Sequence, residues 1–224
     1  MERLPESRSS LSRQIILWRH GQTGWNAAGR VQGQSDVPLD DVGIAQANES
    51  AARLATLNPA RILSSDLSRA TATAQVLSDL TNVAVETDMR LREMAFGLRE
   101  GLTSHEAWQT YPDEMRAWVT GDDIRMPGGE TYREAGKRFA EVLSELSADL
   151  EPDRPAVVVA HGAVLRVGAC TFVGIPQEHW RSFGGFSNCA WSVLEESGFG
   201  DRKIWRVTEW NAGTLPEPVL SDDI

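Results

Sequence analysis

The sequence predicts an α/β protein: a three-layer α/β/α sandwich with a mostly parallel central sheet and helices on both faces. Three observations carry this reading. Short apolar runs closed by turn residues recur at Gln14 to Trp18, Arg61 to Ser65 and Ala156 to Ala160. Stretches with apolar residues at helical spacing lie between them, and strand–helix alternation of this kind builds parallel sheets. No low-complexity linker or internal repeat interrupts the alternation, so one domain is expected.

Each element has its own signal. Gln14 to Trp18 reads Gln-Ile-Ile-Leu-Trp, a short buried strand ending at a turn. Val42 to Leu57 is Ala-rich with helical periodicity, and Pro59 stops it. Arg61 to Ser65 is the second strand. Asp66 to Leu80 is a helix with Leu67, Ala70, Ala74 and Leu77 on one face. Val83 to Glu86 is a short third strand, and Gly101 to Gly121 forms one or two short helices interrupted at Pro112. Thr131 to Leu150 is amphipathic, with Ala135, Phe139, Val142, Leu143 and Leu146 on one stripe. Ala156 to Ala160 contains three consecutive valines, as a strand buried on both faces does. Gly162 to Phe172 is helical, and Asn188 to Leu194 with Lys203 to Trp210 form a late antiparallel pair. Residues 1–13 read as a flexible polar leader, 14–215 as the domain, and 216–224, with its two prolines and acidic end, as a flexible tail.

Composition narrows the function. The chain has 224 residues and a formal net charge of -10, which excludes nucleic acid as a partner because backbone phosphates need a positive surface. No window approaches the length of apolar chain that spans a bilayer, so no membrane partner is expected. Cys170 and Cys189 are the only cysteines, too few for a disulfide framework, and a reducing cytoplasm is the simplest location.

Two motifs share a grammar. Arg19-His20-Gly21 follows the first strand, and His161-Gly162 follows the valine strand. Glycine after each histidine permits a tight turn and close backbone approach to a ligand. If the two strands are parallel neighbours, both imidazoles line one pocket, about one strand spacing of ~4.8 Å apart. A fixed cation beside a titratable nucleophile suits a phosphate. His105 and His179 stand in polar helical contexts and read as structural. Arg69, just after the second strand, reaches the same sheet edge or pairs with Asp66 or Asp79 on a helix surface. Glu93, in Arg-Leu-Arg-Glu-Met, reads alone as a loop charge, and Asn26 as a turn residue.

The arrangement resembles the histidine phosphatase superfamily, also called phosphoglycerate mutase-like. Arg19-His20-Gly21-Gln22-Thr23 with Trp25-Asn26, Gln32-Gly33, Pro38-Leu39 and Gly43 is similar to its opening block. Ser65 to Ala70 with Thr73-Ala74, then Leu91-Arg92-Glu93, then Val159 to Gly162 match the later blocks in order. The resemblance implies that His20 is the nucleophile that becomes phosphohistidine. It implies that Arg19, Arg69, Asn26 and His161 hold the phosphoryl oxygens, and that Glu93 gives a proton to the leaving oxygen and then activates water. Gln32, Thr23 and the Gly162 amide are implied as substrate contacts. The cationic pocket does the work that a metal does elsewhere, so no metal and no cofactor are expected. The two arginines should keep His20 neutral, and substrate charge should push a proton onto Glu93.

Within the superfamily, the segment after Glu93, with a small helical cap over about 94–130, is short and implies hydrolysis rather than mutase chemistry, because a short cap admits water. Pro127-Gly128-Gly129-Glu130-Thr131 is similar to the phosphatase branch, and Gly184 to Trp191 with Trp205 and Trp210-Asn211-Ala212 looks like the glucosyl-3-phosphoglycerate phosphatase group. The implied activity is hydrolysis of a small phosphorylated metabolite, glucosyl-3-phosphoglycerate among the candidates. The alternatives are a phosphoglycerate mutase and a phosphatase of α-ribazole phosphate or a sugar phosphate. Phe96-Gly97-Leu98-Arg99 departs from the common pattern of an aromatic followed by an acid, and either Arg99 or Arg125 can meet a substrate carboxylate or lie on the surface. Trp108 and Trp118 are candidates for stacking on a sugar. The late strand pair and its tryptophans offer an edge for a homodimer. Two rivals remain: a two-histidine, one-carboxylate metal site, which an adjoining Arg19 disfavours, and a decayed binding module, which the intact motif set disfavours.

Overall fold

The computed structural model describes residues 12–199 and 202–213. Most of the expected leader (residues 1–11) and the tail over 216–224 lie outside the described residues. Six strands form one sheet in the order β3-β2-β4-β1-β5-β6. They are β1 (Gln14–Arg19), β2 (Arg61–Ser64), β3 (Val85–Thr87), β4 (Ala156–Ala160), β5 (Trp191–Phe199) and β6 (Arg202–Ala212). The pairs from β3 to β1 are parallel, while β1–β5 and β5–β6 are antiparallel. The sheet therefore changes sense at β1.

Strand alternation sorts the core into two layers. Ile15, Leu17, Ala156, Val158 and Ala160 face one cluster, which also takes Phe139 and Leu143 of α6 (Tyr132–Asp149) and Val164 and Leu165 of α7 (Gly162–Phe172). Ile16, Trp18, Val157 and Val159 face the other. It takes Ala47, Ala51 and Leu54 of α2 (Asp41–Ala55) and Ala70, Ala74 and Leu77 of α3 (Ser68–Thr81). Both expected helix stripes are thus used, one on each face of the sheet. A four-residue helix, α1 (Gly24–Ala27), opens behind β1, and the segment after Glu93 folds as α4 (Ser104–Thr110) and α5 (Pro112–Thr120). Pro112 begins α5 as its first helical residue, where its missing N–H costs nothing. Capping boxes fix the starts of α1, α4 and α6 through Thr23, Thr103 and Thr131.

Several boundaries moved; β5 runs on to Phe199, and α2 ends at Ala55 rather than Leu57. The third strand is Val85–Thr87, shifted toward the C-terminus, and the fifth begins only at Trp191 because Cys189 adopts a left-handed φ of 56°.

Candidate active site

The β1–β4 register sets the site. Arg19 pairs with Ala160, so His20 and His161 leave adjacent parallel strands side by side. Their ring centroids are 5.0 Å apart, with planes tilted by 59°. The backbone crossing that delivers His20 is tight. A Cβ on Gly21 or on Gly43 would come within 3.0 Å of the other strand of backbone, at Gly43 O and Gln22 O respectively. The catalytic loop and the start of α2 therefore touch through two residues that have no side chain.

Hydrogen bonds assign both imidazoles. The His20 Nδ1 lies 2.6 Å from the Gly21 carbonyl oxygen, which can only accept, so Nδ1 carries the proton and the lone pair falls on Nε2. Arg69 Nε, which can only donate, bonds His161 Nδ1 at 3.2 Å, so His161 carries its proton on Nε2. Burial first, then the Arg69 and Arg19 charges, hold the His20 pKa well below its usual value. His161 is lowered in the same direction, by burial first and then by Arg69. Both rings are neutral in the resting protein. The arginines act as expected, but loss of water is the larger cause.

Arg69 is spent on the site and not on Asp66, which pairs with Arg92 instead. Its remaining nitrogens donate to the Ser35 and Gly33 carbonyls at 2.8 and 2.7 Å, tying α3 to the loop after α1. Arg19 donates to the Phe186 carbonyl at 2.5 Å. The Glu93 carboxylate accepts from the amides of Met94, Ala163 and Val164 at 2.8, 3.1 and 2.8 Å. Two of these belong to the first turn of α7, directly after His161, and such a setting suits the anion.

The smaller polar residues form one network. Thr23 caps α1, and its hydroxyl lies 2.9 Å from Gln32 Oε1 and accepts from the Asn26 amide. Asn26 Oδ1 accepts from the Thr23 amide and from Asn188 Nδ2. With its hydroxyl so engaged, Thr23 orients Asn26 and Gln32. At this site, among the described residues, the side-chain N–H donors Asn26 Nδ2, Gln32 Nε2 and His161 Nε2 are buried with no protein acceptor. Buried donors of this kind call for an acceptor, and a phosphoryl group offers several oxygens. Gly162 opens α7, and a Cβ built on it would stand 3.5 Å from the Arg19 guanidinium carbon.

Other expectations are revised. The reacting side chains are themselves buried: His20 is 2% exposed, Glu93 1% and His161 0%. Trp118 is engaged by Arg99 and Arg181 and does not offer a free face to a sugar. Arg125 lies on the surface, paired with Glu134. Two residues lie in matched motifs but were given no role from the sequence. Asn188 donates to the His20 carbonyl as well as to Asn26, and Thr73 accepts the Gly21 amide. Among the described residues no group of three or more His, Cys, Asp or Glu is placed to hold a metal ion.

With two neutral histidines, two arginines and an amide-held carboxylate around buried donors, the comparisons with known proteins fall into line. The model of the histidine phosphatase superfamily (branch 1) matches residues 15–213. The chain belongs to that superfamily. It is 35% identical over 212 residues to the glucosyl-3-phosphoglycerate phosphatase of Mycobacterium tuberculosis, covering 90% of this chain and 95% of that one. It is 36% identical over 186 residues to a probable phosphoglycerate mutase of Yersinia pestis, covering 81% of this chain and 84% of the relative. The solved structure of the mycobacterial glucosyl-3-phosphoglycerate phosphatase with VO3 superposes with a TM-score of 0.83 at 35% identity, covering 90% of this chain and all of that one. Family and relatives together make this histidine phosphatase a phosphoric monoester hydrolase.

Proposed function

We propose that the protein hydrolyses a small phosphomonoester without a metal, through a phosphohistidine on His20. The observation that carries this is the bond from His20 Nδ1 to the Gly21 carbonyl, which leaves the Nε2 lone pair unprotonated beside Arg19 and Arg69. In the first step Nε2 attacks phosphorus and the ester P–O bond breaks. Arg19, Arg69, Asn26, Gln32, the proton on His161 Nε2 and the Gly162 amide hold the phosphoryl oxygens as charge spreads over them. Glu93 takes up a proton when the substrate brings its negative charge into the site, and gives it to the leaving alkoxide. In the second step the Glu93 carboxylate takes a proton from water, the hydroxide attacks phosphorus, the P–N bond breaks and phosphate leaves.

The likeness to two chains named glucosyl-3-phosphoglycerate phosphatase supports that ester as the first substrate to assay. The domain reading of 14–215 with a cap over about 94–130 goes with this proposal. So do a cytoplasmic setting, since both cysteines are free, and a homodimer through the β6 edge, where Ile204 is exposed. Among the described residues no helix is long and apolar enough to cross a membrane.

The test is a phosphoryl-transfer trap. With labelled substrate, wild type should carry an acid-labile, alkali-stable label, Glu93→Gln should accumulate it, and His20→Ala should carry none and lose ~10⁴-fold or more in kcat. Turnover retained by His20→Ala overturns the proposal, as does activity lost to EDTA and restored by a divalent metal. Faster conversion of 3-phosphoglycerate to its 2-isomer than release of phosphate would make the enzyme a mutase.

A further inference from the structure

Glu93 stands on a stretch of chain that no strand or α-helix holds. It lies between two single 3-10 turns, Met89–Leu91 and Gly97–Arg99, so the backbone around it has no ladder to bond to. One side chain of α6 supplies the missing donors. Arg138 donates from Nη1 to the carbonyls of Arg90 and Arg92 at 2.6 and 2.7 Å, and from Nη2 to the carbonyl of Glu93 at 2.9 Å. Its Nε and Nη2 also meet the two oxygens of Glu130, each at 2.8 Å. A guanidinium has five N–H groups, and these bonds use every one.

The pair closes on both sides of the acid. Glu130 Oε2 also accepts the amide of Ala95, two residues beyond Glu93, at 2.9 Å. Burial pushes the Glu130 carboxyl up, but the bonds from Arg138 outweigh it and hold the group below its usual value. Both partners are therefore charged, and both are half-buried. The helix that carries Arg138 is itself seated on α7, where the Phe139 ring fills the space a side chain on Gly168 would need. The Glu93 carboxylate is held by α7, through the amides of Ala163 and Val164. Two packed helices thus fix the two ends of one residue, α6 its backbone and α7 its carboxylate.

We infer that Arg138, locked by Glu130, is a positioning residue for the proton transfer at Glu93. It touches no reacting atom. It sets the backbone from which the carboxylate reaches the leaving oxygen, and a misplacement of about 1 Å in such a group can lower a rate ~10²-fold. Lysine keeps the charge but offers three donors from one point, which cannot span three carbonyls and a carboxylate. The inference rests on the acid role given to Glu93 above.

The test separates proton transfer from folding by the leaving group, using the full chain. p-Nitrophenyl phosphate releases an anion that leaves without a proton, whereas glycerol 3-phosphate releases an alkoxide that needs one. The readout is kcat/KM for each ester, which covers the steps up to phosphoenzyme formation and leaves out the later attack of water. Arg138→Gln should lower it about 100-fold for glycerol 3-phosphate and no more than about threefold for p-nitrophenyl phosphate. Glu93→Gln should show the same split, at least as large, and Arg138→Lys should recover only part of the loss. Equal loss on both esters in Arg138→Gln means a purely structural role and overturns the inference, as does loss on neither. Full recovery with Arg138→Lys overturns it too, since charge alone would then suffice. If Arg138→Gln fails to fold, Glu130→Gln decides the matter: a split of about tenfold supports the inference, and equal effects on the two esters overturn it. A split in Glu93→Gln without one in the Arg138 variant removes only the positioning role. If Glu93→Gln loses both esters alike, the acid role of Glu93 has failed, and if wild type cleaves neither ester the phosphatase reading itself has failed.

Discussion

Arg69 donates its Nε to His161 Nδ1 at 3.2 Å, and this one bond decides which nitrogen of His161 bears the proton. A guanidinium has no acceptor, so His161 turns a donor toward the phosphate site. Lysine cannot reproduce the bond while also holding the Gly33 and Ser35 carbonyls. Arg69→Lys should therefore lower kcat/KM by ~10²-fold although the charge is kept, measured by steady-state phosphate release. Activity within threefold of wild type would show that charge alone suffices.

The two buried imidazoles make stability depend on pH. Both are held neutral in the folded protein, with pKa values well below the usual 6.5. The unfolded chain takes up these protons as pH falls through 6.5, and the folded chain does not until the lowered values are reached. Folding stability attributable to this pair is thus complete above that point and is lost as pH falls below it. Each histidine should contribute a slope of up to ~1.4 kcal/mol per pH unit. Urea unfolding of wild type and His161→Gln over this range should show the variant's slope reduced by about that amount.

Asn188 links the nucleophile's backbone to Asn26 by donating to the His20 carbonyl and to Asn26 Oδ1 at 3.1 and 3.2 Å. Asn188→Ala should cost about 1–3 kcal/mol of stability. It should also lower kcat by roughly tenfold, because a donor orientation worth about 1.4 kcal/mol in the transition state is lost. A stability loss with unchanged kcat would confine the residue to folding.

The contact between Gly21 and Gly43 admits no Cβ on either side. Gly43→Ala should destabilise the domain by about 3 kcal/mol or more, since backbone and not a flexible side chain must move. Differential scanning calorimetry would register this as a large drop in Tm.

Much of this was legible in the sequence because the physics is local. Valines 157–159 and the apolar run at Ile15 announced buried strands, and the repeated His-Gly ending anticipated that two strand ends meet. The rest depends on atoms or surroundings that composition does not reveal. The acceptors for Arg19 and Arg69 are carbonyls of Phe186, Gly33 and Ser35, and a carbonyl looks alike at every residue. Asn188 sits far along the chain in a loop, and only the antiparallel return of β5 beside β1 brings it to His20. Arg99 and Arg125 were equivalent as letters, and only burial separates them.

The place of β1 in the sheet bears on how the enzyme fails. It is bonded on both sides, to β4 and to β5, so its amides can exchange with solvent only when the whole domain opens. His20 hangs from the end of that strand. The slowest-exchanging amides should therefore lie next to the nucleophile, and heat or protease should release the periphery while the reactive imidazole is still in register.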